Sequence, residues 1–247
     1  MGPADVTEAR PAFYALAPGG WRDYVTLLHP PYTLWHLSYV VIGAALAPHF
    51  NGRLLGWMLI AFFLAMGIGA HALDELKGRP LQTRIPPRTL VGLASVSIAG
   101  AAAIGVAVAV RRDLWLLAFV AAGCVLVVAY NLELFGGVLH NALWFALAWG
   151  AFPLLTAFFA VAKELRVEAL LAAAFAALLS HVQRRLSTPV RDVRRRAVSV
   201  SGRIDWRDGT TTELDPGALT SVPERALQLL AAAVVLLAVA LVVMRVT

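Results

Sequence analysis

Leu54-Leu-Gly-Trp-Met-Leu-Ile-Ala-Phe-Phe-Leu-Ala-Met-Gly-Ile-Gly-Ala70 carries no charge, and the chain then reads His71-Ala-Leu-Asp-Glu-Leu-Lys-Gly-Arg-Pro-Leu81. The first part has nearly the length, and all of the composition, of a helix dissolved in lipid. The second opens with His71, Asp74 and Glu75 at i, i+3 and i+4, which is one face if the helix continues. Lys77, Arg79, Arg84 and Arg88 follow at once. Imidazole and carboxylate groups at membrane depth are costly, which makes them functional candidates. Carboxylates beside a basic loop can hold a metal ion and an anionic substrate together. The competing reading is a helix end whose charges are simply solvated.

Working outward, the rest of the chain has the same character. Of its 247 residues 60% are hydrophobic and only 15% are charged, and the mean hydropathy is +0.73. These values exclude an ordinary soluble domain and fit a polytopic membrane protein. The single cysteine, Cys124, lies in an apolar run, so an intrachain disulfide and a multi-cysteine zinc site are both excluded. The net charge of +6 does not argue for nucleic acid, because membrane proteins collect Lys and Arg in cytoplasmic loops. Residues 1–30 hold three acidic residues and several prolines without an apolar core, unlike a cleaved signal peptide.

Seven apolar blocks approach the roughly 20 residues that a membrane crossing takes. They lie near 32–48, 54–73, 90–110, 114–132, 137–162, 167–186 and 225–244. The fold class expected is all-α: one integral membrane bundle over 1–247, with about seven and up to nine helices. Pro153 marks a kink in the fifth block. Small-residue runs such as Ala99-Gly-Ala-Ala-Ala103 suit close helix approach. Alternate inter-block segments carry 15 of the 21 Lys and Arg residues, against 6 on the other side. That bias predicts a cytoplasmic N-terminus and an external C-terminus in a plasma membrane of the bacterial inner-membrane type. The segment 187–224 reads as a cytoplasmic loop. Within it, alternation from Val198 to Trp206 and the Asp208-Gly209 turn predict a β-hairpin, and Ser221-Val-Pro-Glu224 resembles a capping box. Arg194-Arg-Arg196 suits anionic membrane lipids.

With that topology His36, His71, His140 and His181 fall at one cytoplasmic depth, beside Asp74, Glu75 and Glu133 and the amides Asn131, Asn141 and Gln183. If they face inward they line a polar cavity open to the cytoplasm. Carboxylates alone suit magnesium, which keeps waters and binds substrate phosphates. His71, Glu133, His140 and His181 together would instead suit iron or zinc.

At this point the chain resembles the UbiA-type intramembrane prenyltransferase superfamily, over about residues 26–190. The resemblance rests on the entry Leu27-Leu-His-Pro-Pro-Tyr-Thr-Leu34 and on Gly67-Ile-Gly-Ala-His-Ala-Leu-Asp-Glu-Leu-Lys-Gly-Arg-Pro-Leu81, similar to that family's first aspartate-rich motif. It also rests on Tyr130 followed, after a turn, by Asn141. Where a second aspartate-rich motif would stand, this chain reads His181-Val-Gln-Arg-Arg-Leu-Ser-Thr-Pro189. The resemblance implies a transferase acting on a prenyl diphosphate or related lipid. Asp74 and Glu75 would be its catalytic, Mg2+-binding pair, and Lys77, Arg79, Arg84, Tyr130, Asn141 and Arg185 would contact substrate. Two alternatives stay open: a His/carboxylate oxidase or hydroxylase using iron or zinc, and a non-catalytic lipid-binding protein that keeps the fold.

Overall fold

The computed structural model describes residues 4–5 and 10–247. Its helices are α1 (Trp21–Leu27), α2 (Pro30–Leu46), α3 (Gly52–Gly78), α4 (Pro87–Arg112), α5 (Leu116–Asn131), α6 (Ala142–Ala162), α7 (Val167–Arg196) and α8 (Pro216–Val246). Five of them, α3, α4, α6, α7 and α8, are long and apolar enough to cross a membrane. All seven apolar blocks fall largely within α2–α8, and α1 is a short addition before them. The protein is an all-α bundle of membrane type.

Helix α2 packs against both α6 and α8. Its Trp35 and Tyr39 are fully buried, and the Trp35 indole N–H donates to the Tyr39 hydroxyl at 2.5 Å. Ser180 Oγ, on α7, donates to the same hydroxyl at 3.3 Å. Small residues set the spacing, as expected where lipid offers helices no hydrophobic reason to associate. A Cβ on Gly150 would sit 2.6 Å from the Ala176 carbonyl oxygen, and one on Gly43 would collide with the Leu154 carbonyl. At one end of the bundle the helix termini are tied down by arginines. Arg245 donates to Ala45 O and Ala47 O, and Arg112 to Ala160 O and Val161 O. These carbonyls belong to last turns, where helical partners run out.

Two helices carry π-helical stretches, Phe63–Ala70 in α3 and Ala146–Ala151 in α6. Irregular turns of this kind concentrate at functional sites. The break expected at Pro153 therefore lies in the turn before it. Pro153 has no N–H to offer the Trp149 carbonyl four residues back, and His36 Nδ1, on α2, meets that carbonyl at 2.9 Å.

The polar segment between α7 and α8 differs from expectation in three ways. Helix α7 continues through Pro189 to Arg196, and α8 starts at Pro216, so the non-helical stretch is 197–215 instead of 187–224. Hydroxyls of Ser187 and Thr188 donate to Arg184 O in the turn that Pro189 interrupts. The cap of α8 is Asp215, whose side chain accepts from Ala218 N at 2.6 Å, and not the Ser221–Glu224 box. Glu224 instead holds Arg194 through two bonds of 2.5 and 2.9 Å, joining α8 to α7. The hairpin forms, but shorter: β3 (Arg203–Asp205) pairs antiparallel with β4 (Thr211–Glu213) around Gly209 at φ 85°. The alternating run divides at Gly202, and β2 (Ser199–Val200) pairs instead with β1 (Ala4–Asp5).

Candidate functional site

The site lies at the end of the bundle opposite Arg112 and Arg245. Four segments supply its walls: the start of α2, the end of α3, the α5–α6 junction and the last turns of α7. A strap of residues 11–14 covers it. The strap is held by the α7 arginines, with Arg194 Nη1 donating to Arg10 O and Arg195 Nε to Pro11 O. The cavity measures about 190 Å³.

Its charge is unequal. Arg184, Arg191 and Arg195 line it at i, i+7 and i+11, one face of α7. Asp74 is the one carboxylate among the lining residues. With neutral histidines the cavity wall is net cationic, a setting for an anion. Asp74 makes no hydrogen bond or ion pair among the described residues, and Arg191 reaches only Thr188 Oγ1, at 3.2 Å. Arg184 donates to the Tyr130 hydroxyl and lies over the Phe145 ring, 5.5 Å from its centroid. Tyr130, Phe145 and Trp149 form an aromatic wall, with centroids 4.4 Å apart for Tyr130–Trp149 and 5.9 Å for Phe145–Trp149.

The histidines are oriented alike. Nδ1 of His36 meets Trp149 O at 2.9 Å, that of His71 meets Gly67 O at 3.1 Å, and that of His140 meets Tyr130 O at 3.0 Å. A carbonyl can only accept, so each Nδ1 carries the proton, and in the neutral ring Nε2 is left with its lone pair. The His29 ring lies against that of His71, tilted by 32° with centroids 4.0 Å apart, and His29 stands at the N-cap of α2 in the left-handed region, at φ 46°. Burial holds its imidazole well below the usual range, and His71, Arg195 and Arg191 push it the same way. Burial likewise pushes the Tyr14 phenol up.

The residues expected from sequence separate into groups. Asp74, Tyr130, His71 and His140 line the cavity. Glu75 is fully buried, but its carboxylate accepts from Leu81 N (2.9 Å), Thr83 N (2.8 Å) and Thr83 Oγ1 (2.9 Å), so it organises the loop after α3. Arg79 serves the same loop, donating to Thr83 O and Ile85 O. Lys77 and Glu133 pair with each other at 2.7 Å on the surface, and that bond holds the Glu133 carboxyl below its usual value. The Arg84 side chain is exposed while its backbone N–H donates to Asp23. Asn141 is an exposed cap, accepting from Trp144 N. Arg185 is exposed, one position off the cavity-facing register that Arg184 occupies, and His181 lies outside the lining. The expected convergence of His71, His140, His181 and Glu133 is thus not formed, and among the described residues no group of three His, Cys, Asp or Glu side chains is placed to hold a metal ion. Sequence reading missed Arg191, Arg195 and the strap. The i, i+7, i+11 spacing would have found the arginines had α7 been carried past Pro189.

Beyond Trp149 the surroundings become apolar. Trp149 also lines a small space with Met66, Val127 and Phe152. That space shares Phe62, Ala65, Gly123 and Phe152 with a larger apolar crevice among α3, α4, α5 and α6. The polar cavity and the small apolar space therefore meet at Trp149, and the crevice continues beyond that space. Comparison with protein families, with curated proteins and with solved structures finds no match for this chain.

Proposed function

We propose that this chain is a divergent UbiA-like membrane transferase acting on a prenyl diphosphate or related lipid phosphate. The observation that carries the reading is a cavity with three arginines and one carboxylate that meets, at Trp149, a small apolar space leading on to an apolar crevice. An amphiphile with an anionic head and a hydrocarbon tail matches both parts. Arg184, Arg191 and Arg195 would hold the diphosphate and balance the charge that grows on it as the bond to carbon lengthens. Pre-positioned cations in a site shielded from water do this with little reorganisation. They stand on the helix where the family's second acidic motif would be, so direct cationic contact replaces part of what a second metal site would supply. The aromatic wall of Tyr130, Phe145 and Trp149 presents ring faces to an allylic cation.

Magnesium fits this donor set in a limited way, since it binds through one or two carboxylates, keeps waters and takes its remaining oxygens from phosphate. Asp74 would hold it. The ion would supply further neutralisation of the leaving diphosphate. Glu75 is engaged by the loop and adds nothing to that coordination.

The test is equilibrium binding of farnesyl and geranylgeranyl thiodiphosphate, which do not react, to the detergent-purified protein. Wild type should bind with magnesium present. Arg191→Gln should weaken binding by roughly 10- to 100-fold, as for loss of one charged hydrogen-bonding contact. Asp74→Asn should remove the magnesium dependence. Absence of affinity for either analogue removes the reading.

A further inference from the structure

The end of the bundle that Arg112 and Arg245 tie down carries a second basic pocket, of about 440 Å³, between α3 and α4. Arg53 and Trp57 line it at i and i+4 on α3, and Ile104, Val108 and Arg111 line it at i, i+4 and i+7 on α4. Both helices thus place a guanidinium at the bundle end and an apolar wall one or two turns deeper. Arg112 also lines the pocket, but the Ala160 and Val161 carbonyls engage its side chain. Arg53 and Arg111 are exposed, and neither makes a hydrogen bond or ion pair among the described residues. No carboxylate lines the pocket. Of the acids in neighbouring turns, Asp113 accepts from Trp115 N at 2.9 Å and Glu164 pairs with Arg166 at 2.5 Å. Water and the C-terminal dipole of α4 account for a single arginine such as Arg111. They do not account for two unpaired guanidiniums, from different helices, sharing one pocket above an apolar wall. The depth is also marked: Trp57 is 50% exposed and Trp115, beside the start of α5, is 74% exposed. Exposed indoles at the end of a membrane bundle sit at the level of lipid headgroups.

We infer that this pocket seats the headgroup of an anionic phospholipid from the surrounding bilayer. Its phosphate lies between Arg53 and Arg111, and its acyl chains run inward along Trp57, Ile104 and Val108. A zwitterionic lipid brings its own cation to two arginines that have no acid to balance them. A net-negative head neutralises them, and basic pockets between transmembrane helices take such heads. A free phosphate ion would satisfy the arginines and leave the apolar wall bare, so the lining calls for an amphiphile. The site lies at the opposite end of the bundle from Arg184, Arg191 and Arg195, involves no catalytic step and does not depend on the transferase reading. A lipid held there joins the ends of α3 and α4, and it stabilises the folded bundle by binding it.

The experiment is native mass spectrometry of the full chain in a neutral maltoside detergent, titrated with phosphatidylglycerol and with phosphatidylcholine of the same acyl chains. Wild type should bind phosphatidylglycerol about tenfold or more tightly than phosphatidylcholine, the effect of two cations on an anionic head. The double variant Arg53→Gln/Arg111→Gln should lose most of that preference, whereas Arg191→Gln, in the polar cavity, should keep it. Thermal unfolding in the same detergent gives a second readout. Phosphatidylglycerol should raise the wild-type midpoint and leave that of the double variant unchanged. Without lipid the two should melt alike, since neither arginine has a partner to lose among the described residues. If the double variant does not fold, the single variants decide, each expected to weaken the preference several-fold. Glycerol 3-phosphate, added at the same concentration as the lipid, should neither displace it nor raise the midpoint. Displacement by that soluble anion would show a simple phosphate site and overturn the lipid assignment. Equal affinity of wild type for the two lipids also overturns the inference, as does a preference that survives loss of both arginines. A preference abolished by Arg191→Gln would place the lipid in the polar cavity and refute this site.

Discussion

Replacing Glu75 by Gln separates a loop-organising carboxylate from a metal-binding one. Both partners of Glu75 are buried: Leu81 is 4% exposed and Thr83 6%. Oε1 accepts from Thr83 N and Thr83 Oγ1, and Oε2 accepts from Leu81 N. A glutamine can turn its carbonyl to the Thr83 pair, but its NH2 then faces the Leu81 N–H, donor against donor. One buried N–H left unpaired costs about 1–3 kcal/mol, and the two surviving bonds lose the assistance of charge, about 0.5–1 kcal/mol each. The expected destabilisation is therefore about 2–5 kcal/mol, a large part of a typical domain's stability. Thermal unfolding in detergent should show a clearly lowered midpoint, and the amides of Leu81 and Thr83 should exchange faster with deuterium. Asp74→Asn, with no partner to lose among the described residues, should leave both readouts near wild type. If Glu75→Gln melts like wild type yet loses magnesium-dependent ligand binding, the carboxylate serves ligand and this reasoning is wrong.

Desolvation of the half-buried His29 favours its neutral ring, with its folded pKa below that of the unfolded chain. The unfolded state then binds more protons, so stability should fall as pH drops below about 6.5, and His29→Phe should flatten that fall between pH 7.5 and 5 in the same unfolding assay. Gly43→Ala should destabilise by roughly 1–3 kcal/mol, because its methyl meets Leu154 backbone that cannot step aside, whereas Gly56→Ala, with nothing within 4 Å, should be neutral or slightly stabilising. His29 and Arg245 sit at opposite ends of α2, so reporter fusions near residue 10 and after residue 247 should report opposite sides of the membrane, with the cavity end cytoplasmic; same-side signals would refute this.

What the sequence revealed and what it withheld follow from how far each interaction reaches. The apolar blocks could be placed because lipid acts on every residue of a helix at once, and α3, α4 and α8 answer to composition alone. The Asp74 face was legible because helical periodicity is local. The division between Asp74 and Glu75 was not, although they are adjacent, because it depends on where Leu81 and Thr83 return to meet the helix. Composition misled at α7. Pro189 and a run of arginines read as a loop, yet a helix continues through them because Glu224, thirty residues on, pairs with Arg194, and the strap carbonyls take Arg194 and Arg195. Those contacts are invisible to any window of sequence, and they turn a charge run into a face. Gln183 was legible as a cavity amide from its depth, but only the folded cavity shows that its Oε1 has no partner among the described residues. The informative residues at this site are thus the ones whose local sequence is bland and whose tertiary surroundings leave a chemical demand unmet.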